Sequence, residues 1–274
     1  MRGITAALLG SLILWLTACG GVEPSQPVHV TITGSTAMAP LLQSLSAEYH
    51  QTHPYMTFSV GAQGSALGLA MVQQGTADLG MVARELTGDD LFDPASGRRR
   101  LWSTVIARDG IAIIVNPQNP LSELRAAQLQ ALMTGEITRW ADVGWNDPED
   151  VQVVSREDGA ATRMVFESLA LHDSEPTLNA IVMPTSEAMA QFVAQHRGAI
   201  GYLSMGLADG NVKTLALNGV YPTPATVEDG TYPLVRPLLL VSGKEPQGEI
   251  GSFLRWVTGP AGQAIIQKRY ALPK

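Results

Sequence analysis

Residues 28–50 read VHVTITGSTAMAPLLQSLSAEYH, and this stretch decides the fold. Val28, Val30 and Ile32 alternate with His29, Thr31 and Thr33, the period-two pattern of a strand. Gly34-Ser35-Thr36 breaks that alternation, and from Met38 to His50 apolar residues recur at helical spacing. The unit is strand, tight turn, helix. It recurs downstream: 58–60 is extended, 61–65 (GAQGS) turns, 66–74 (ALGLAMVQQ) reads as a helix stopped by Gly75, and 77–82 is the next strand. Continuous apolar runs at 110–115 and 151–154 are further strands, the second leading through Arg156-Glu157-Asp158-Gly159 into a helix over 162–171. Strands alternating with helices predict an α/β fold around mostly parallel sheets.

The remaining pattern is consistent with that reading. Helices are predicted over 121–133 and 187–196, stopped near Gly135 and Gly198, with a short buried strand at 199–202. The stretch 215–231 is loop-rich, 234–241 is a last apolar strand, and 252–258 and 261–270 close the chain as helices. At 274 residues there is room for one large domain or two lobes. No internal repeat or heptad run interrupts the pattern. Arg98-Arg99-Arg100 reads as a solvated loop.

The N-terminus reads as an export signal. One positive charge at Arg2 precedes an uncharged run over 4–16, which is 13 residues long and short of the roughly 20 that a membrane helix needs. Leu16-Thr17-Ala18-Cys19 resembles a bacterial lipobox, so residues 1–18 are expected to be cleaved and Cys19 to carry the lipid. Cys19 is the one cysteine of the chain, which excludes an intramolecular disulfide. A small, polar tether over 19–27 would then join the lipid to the fold. Loss of 1–18 removes Arg2 and no acid, taking the formal charge from −7 to −8. Such a balance lacks the basic footprint of a nucleic-acid binder.

Three strand-to-helix turns are rich in small residues and hydroxyls: Gly34-Ser35-Thr36, Gly64-Ser65 and the run 156–162. Helix N-termini present unpaired N–H groups and the positive end of a dipole, and Ser or Thr adds donors without bulk. Any one such turn is explained by ordinary capping. Three together, with an arginine in the third, point to an oxyanion site. Arg156 offers a planar fork of donors, which Asp158 is placed to hold.

The order and spacing of these motifs resemble the periplasmic phosphate-binding proteins of ABC transporters. Residues 30–36 (VTITGST) are similar to the family's opening strand and phosphate loop, 61–68 (GAQGSALG) to its glycine-serine loop, and 77–86 (ADLGMVAREL) to the strand and turn that follow. Residues 156–162 (REDGAAT) resemble the second-lobe arginine loop; 109–112 (DGIA), 135–140 (GEITRW) and 232–237 (YPLVRP) recur in the family too. The resemblance implies a two-lobed type II periplasmic binding protein fold with a ligand cleft between lobes. It places 28–112 in the first lobe, 113–235 in the second and 236–274 back in the first. It further implies that Ser35, Thr36 and Ser65 donate from one lobe and Arg156 and Thr162 from the other. The implied partners are inorganic phosphate and an ABC permease, the implied state an exported, membrane-anchored monomer, periplasmic or at the cell surface, with no cofactor.

Three features depart from the family pattern. Ala160-Ala161 replaces Ser-Gly, Ala83 stands where much of the family has a serine, and the carboxylate by which one branch reads a phosphate proton is missing there. Arg84 either adds charge to the cleft or pairs with Glu85 or Asp89. These departures leave room for another oxyanion, and for a lipoprotein that senses rather than transports. An enzyme is disfavoured: nucleophile-elbow, metalloprotease and P-loop motifs are absent, and the five histidines lack metal-ligand spacing.

Overall fold

The computed structural model describes residues 26–146 and 148–273. Cys19, the export signal and most of the tether lie outside them. The first half carries β1 (Val28–Gly34), α1 (Ala39–Thr52), β2 (Met56–Ala62), α2 (Ser65–Gln73), β3 (Leu79–Val82), α3 (Gly88–Leu91) and β4 (Trp102–Val115). Then come β5 (Glu123–Leu124), α4 (Ala126–Thr134), β6 (Gln152–Arg156), α5 (Ala161–Ala170), β7 (Ile181–Met183), α6 (Ser186–Gln195), β8 (Ala199–Ser204) and β9 (Lys213–Leu217). Last are α7 (Pro224–Asp229), β10 (Val235–Ser242), α8 (Gly248–Thr258) and α9 (Pro260–Ile266). No helix among the described residues is long and apolar enough to cross a membrane.

Strands run in the order β2-β1-β3-β10-β4-β8-β6-β7. The α/β expectation is met, with a mixed rather than mostly parallel sheet. β1 is parallel to β2 and β3, and β6 is parallel to β7 and β8. Between them β4 and β10 run antiparallel to their neighbours. The long β4 joins the two halves. Its residues 102–110 pair with β10, and its residues 111–115 pair with β8 and β9. At the junction the Ile111 N–H donates to the Leu234 carbonyl at 2.8 Å, so both passages of the chain lie side by side.

Burial separates two main cores on either side of that junction. One gathers Ile32, Leu42, Leu45, Met81, Leu240 and Phe253 from β1, α1, β3, β10 and α8. The other gathers Ile113, Trp140, Val154, Phe166, Ile200 and Leu215. Ala161, at the start of α5, packs into the first core although the rest of its helix belongs to the second.

Most element bounds follow the sequence reading, but α8 begins at Gly248, α9 ends at Ile266, α3 and β7 lie outside that reading, and three further differences stand out. The helix expected over 121–133 begins at Ala126, because 123–124 pair with β9 as a strand. The stretch 215–231 is more ordered than expected: it holds the end of β9 and a helix whose Thr223 N-cap hydroxyl accepts the Thr226 N–H. Finally, β4 extends back to Trp102; Arg108 and Asp109 disguise its first half as polar, yet Asp109 is fully buried.

Candidate functional site

The three hydroxyl-rich turns converge at the edges of the two cores. In the first, Gly34 has φ 137°, and a Cβ there would run into the Met81 carbonyl oxygen, so β1 ends hard against β3. The Ser35 N–H donates to that same carbonyl at 2.9 Å. In the second, the Gln63 and Gly64 N–H groups donate to the Gly34 carbonyl at 2.9 and 2.8 Å, stitching one turn to the other. Gly68 lets α2 approach closely: a Cβ would sit 2.7 Å from the Gly34 Cα. Ser35, Thr36 and Ser65 are all buried as a result.

The third turn delivers Arg156, whose guanidinium is 2% exposed. Phe166 stacks on Tyr202 at 3.9 Å, and the Tyr202 hydroxyl takes the Arg156 N–H at 3.4 Å and pairs with Ser155 at 2.8 Å. Burial pushes the Tyr202 phenol up to about 12. The guanidinium itself is anchored along its Nε–Nη2 edge. Nε donates to Glu157 Oε2 and the Met183 carbonyl, both at 3.0 Å; Nη2 donates to Glu157 Oε1 at 2.8 Å and the Pro184 carbonyl at 2.9 Å. Nη1 is left facing two hydroxyls, Ser186 Oγ at 3.3 Å and Thr36 Oγ1 at 3.5 Å. Thr36 comes from the first core's turn and Ser186 from the start of α6, so one arginine spans both halves.

Two expected roles are corrected. Asp158 does not hold the Arg156 fork: it is 92% exposed and pairs with Arg163, while the neighbouring Glu157 makes the clamp. Arg84 does not add a free charge to the site. It forms a two-pronged pair with Asp90 at 2.7 and 3.1 Å, and this hydrogen bonding lowers the Asp90 carboxyl to about 2.

Two further groups, Ser186 and Arg236, were not among the expected site residues. Ser186 sits one residue past a Thr185 N-cap, a signal no different from ordinary helix capping. Arg236 lies on β10 at the junction, 2% exposed. Its Nε and Nη2 bind Asp109 Oδ2 at 3.0 and 2.9 Å, and its Nη1 donates to Thr162 Oγ1 at 2.8 Å and to the Ala83 carbonyl at 3.3 Å. Asp109 also accepts the Ser204 hydroxyl at 2.9 Å. Burial pushes the Asp109 carboxyl up, and Arg236 and Ser204 oppose that push. Thr162 Oγ1 therefore accepts from a buried guanidinium, and Ser65 Oγ likewise accepts the Ala83 N–H at 3.3 Å.

This architecture is that of a type II periplasmic binding protein: two α/β lobes joined by paired crossings. Residues 21–261 match the model of the PBP superfamily domain. A Clostridium perfringens structure with bound phosphate, assigned as a phosphate ABC transporter substrate-binding protein, is 32% identical with TM-score 0.83, over 90% of this chain and 100% of that one. An ABC-type phosphate transport receptor from Vibrio cholerae is 30% identical with TM-score 0.71, again over 90% of this chain and 100% of the other. The phosphate-binding protein PstS of Bacillus subtilis is 29% identical over 244 residues, 83% of this chain and 78% of its own length. The chain belongs to the PBP superfamily, among its PstS-like members.

Proposed function

We propose that this protein captures inorganic phosphate in a cleft between its lobes and hands it to an ABC permease. One observation carries the reading: the buried Arg156 directs Nη1 at hydroxyls from both lobes, Thr36 and Ser186. A tetrahedral oxyanion lodged there would engage both lobes at once, with Ser35, Thr36 and Ser65 on one side and Arg156, Thr162 and Ser186 on the other. Its preference for the closed arrangement is what would hold the lobes together. The reading is non-catalytic, since hydroxyls held by arginines have no base to activate them.

The first lobe is taken as 28–112 with 236–274 and the second as 113–235, with hinges where β4 and β10 cross. Ahead of them, 1–18 would be cleaved on export and Cys19 lipidated, leaving 19–27 as the tether of a membrane-anchored monomer. The phosphate named for the relatives, and the motif order shared with them, support this assignment.

Calorimetry with phosphate tests it, alongside X-ray scattering. Expected are saturable one-site binding, a smaller radius of gyration and a higher melting temperature with ligand. Superimposable scattering curves and an unmoved melting temperature at millimolar phosphate would refute it.

A further inference from the structure

We infer that the cleft is a donor-only oxyanion site, in which an N–H group behind each hydroxyl turns it towards the ligand, and that Arg236, clamped by Asp109, does this for Thr162. The inference rests on the cleft being the ligand site. Guanidinium and backbone N–H groups only donate, so an oxygen bonded to one must accept. Thr162 Oγ1 accepts from Arg236, Ser65 Oγ from the Ala83 N–H, and Ser186 Oγ and Thr36 Oγ1 from Arg156. None of these four hydroxyls donates a hydrogen bond to another described residue. All four are buried, at 8% exposure or less. Each keeps its own proton for whatever enters the cleft.

The carboxylates nearby are committed elsewhere. Asp109 binds Arg236 and Ser204, both oxygens of Glu157 bind Arg156, and Asp158 binds Arg163. A protonated ligand oxygen would find none of these three carboxylates uncommitted. Sites built to accept a ligand O–H reject an analogue lacking it by about 10⁴–10⁵. Here that discrimination has no carboxylate to supply it. The ligand class is tetrahedral oxyanions carrying about two charges, sulfate as well as phosphate. Within this site Arg236 is a positioning residue: it is held in its own lobe by Asp109 and the Ala83 carbonyl, and it acts through Thr162, the contact that crosses to the other lobe.

The test is calorimetry of the full chain with inorganic phosphate and with sulfate, for the parent, Thr162→Val, Arg236→Gln and the double variant. Sulfate should bind within about 100-fold of phosphate, far short of what an O–H acceptor imposes. Thr162→Val should weaken both anions by about tenfold or more, the worth of a hydrogen bond to a charged group. Arg236→Gln should weaken them comparably, and in the Thr162→Val background should cost less than about threefold more, because the two act in series. Independent, multiplying losses would overturn the positioning role. Because Arg236→Gln strands Asp109, Asp109→Asn with Arg236→Gln is measured beside it; that pair, folded by circular dichroism yet binding like the parent, would also overturn it. Phosphate binding with sulfate excluded by about 10⁴ sinks this inference alone. Binding of neither anion sinks it together with the reading of the cleft.

Discussion

Arg156 and Arg236 are both 2% exposed, both paired with one carboxylate, and both turned towards hydroxyls, yet they sit in different surroundings. Asp109, the partner of Arg236, is wholly buried, whereas Glu157, the partner of Arg156, is 41% exposed. The first pair is a strut sealed where β4 and β10 lie side by side. The second has its carboxylate wetted and its Nη1 facing Thr36 and Ser186, which on the proposed reading makes Arg156 a ligand arm. On that reading, burial of the acid separates a stability element from a binding element. Removing one member of a buried pair leaves an uncompensated charge, while a solvated carboxylate loses little when its partner changes.

The sharpest way to break that comparison is Arg236→Ala. It should cost about 3–5 kcal/mol of unfolding free energy, measured by urea denaturation, since Asp109 is left buried without its cationic partner. A loss below about 1 kcal/mol would mean that Arg236 is no strut.

A partly buried pair gives an intermediate case with a pH signature. Asp90 is held near 2 by Arg84, well below the usual carboxylate range. Its stabilisation is complete above the unfolded value near 4 and is lost as pH falls towards 2. Asp90→Asn should therefore cost on the order of 2 kcal/mol at neutral pH. The cost should fade between about pH 4 and pH 2; an offset that stays constant across this range would contradict the assignment.

Ala160 offers a smaller effect. It is the N-cap of α5 and makes no side-chain cap. Ala160→Ser should add about 1 kcal/mol of stability by capping the Thr162 or Arg163 N–H. That hydroxyl would then be committed to the helix, so phosphate affinity should shift less than about threefold, a limit under the worth of one new hydrogen bond to an anion. A tenfold gain would show that the missing family serine is a ligand group after all. Smallest of all, Glu157→Gln should lower stability by under about 1 kcal/mol, because its carboxylate is solvated; a loss matching that of Arg236→Ala would erase the contrast between the two arginines.

What the sequence made legible follows from locality. Alternation and turn chemistry located β1, α1, β6 and α5, and the glycine-hydroxyl turns led to Ser35, Thr36, Ser65, Arg156 and Thr162. Each of these signals lies within a dozen residues. The clamp of Arg156 was misread by one position, because adjacent acids in a turn carry no mark of which one faces back. Arg236 and Asp109 are 127 residues apart, each inside a mainly apolar strand, and only the sheet order brings them together. Ser186 was hidden differently: it reads as part of an ordinary cap until β7 carries Met183 and Pro184 against Arg156.

The central claim is that Arg156 is the arm that binds phosphate across the cleft. Calorimetric titration of Arg156→Ala beside the parent tests it most directly. Loss of a desolvated charge partner, at roughly 2–5 kcal/mol, predicts phosphate binding weakened by about 30-fold or more. An affinity within about threefold of the parent, in a variant that melts normally, would place the anion elsewhere and contradict the account.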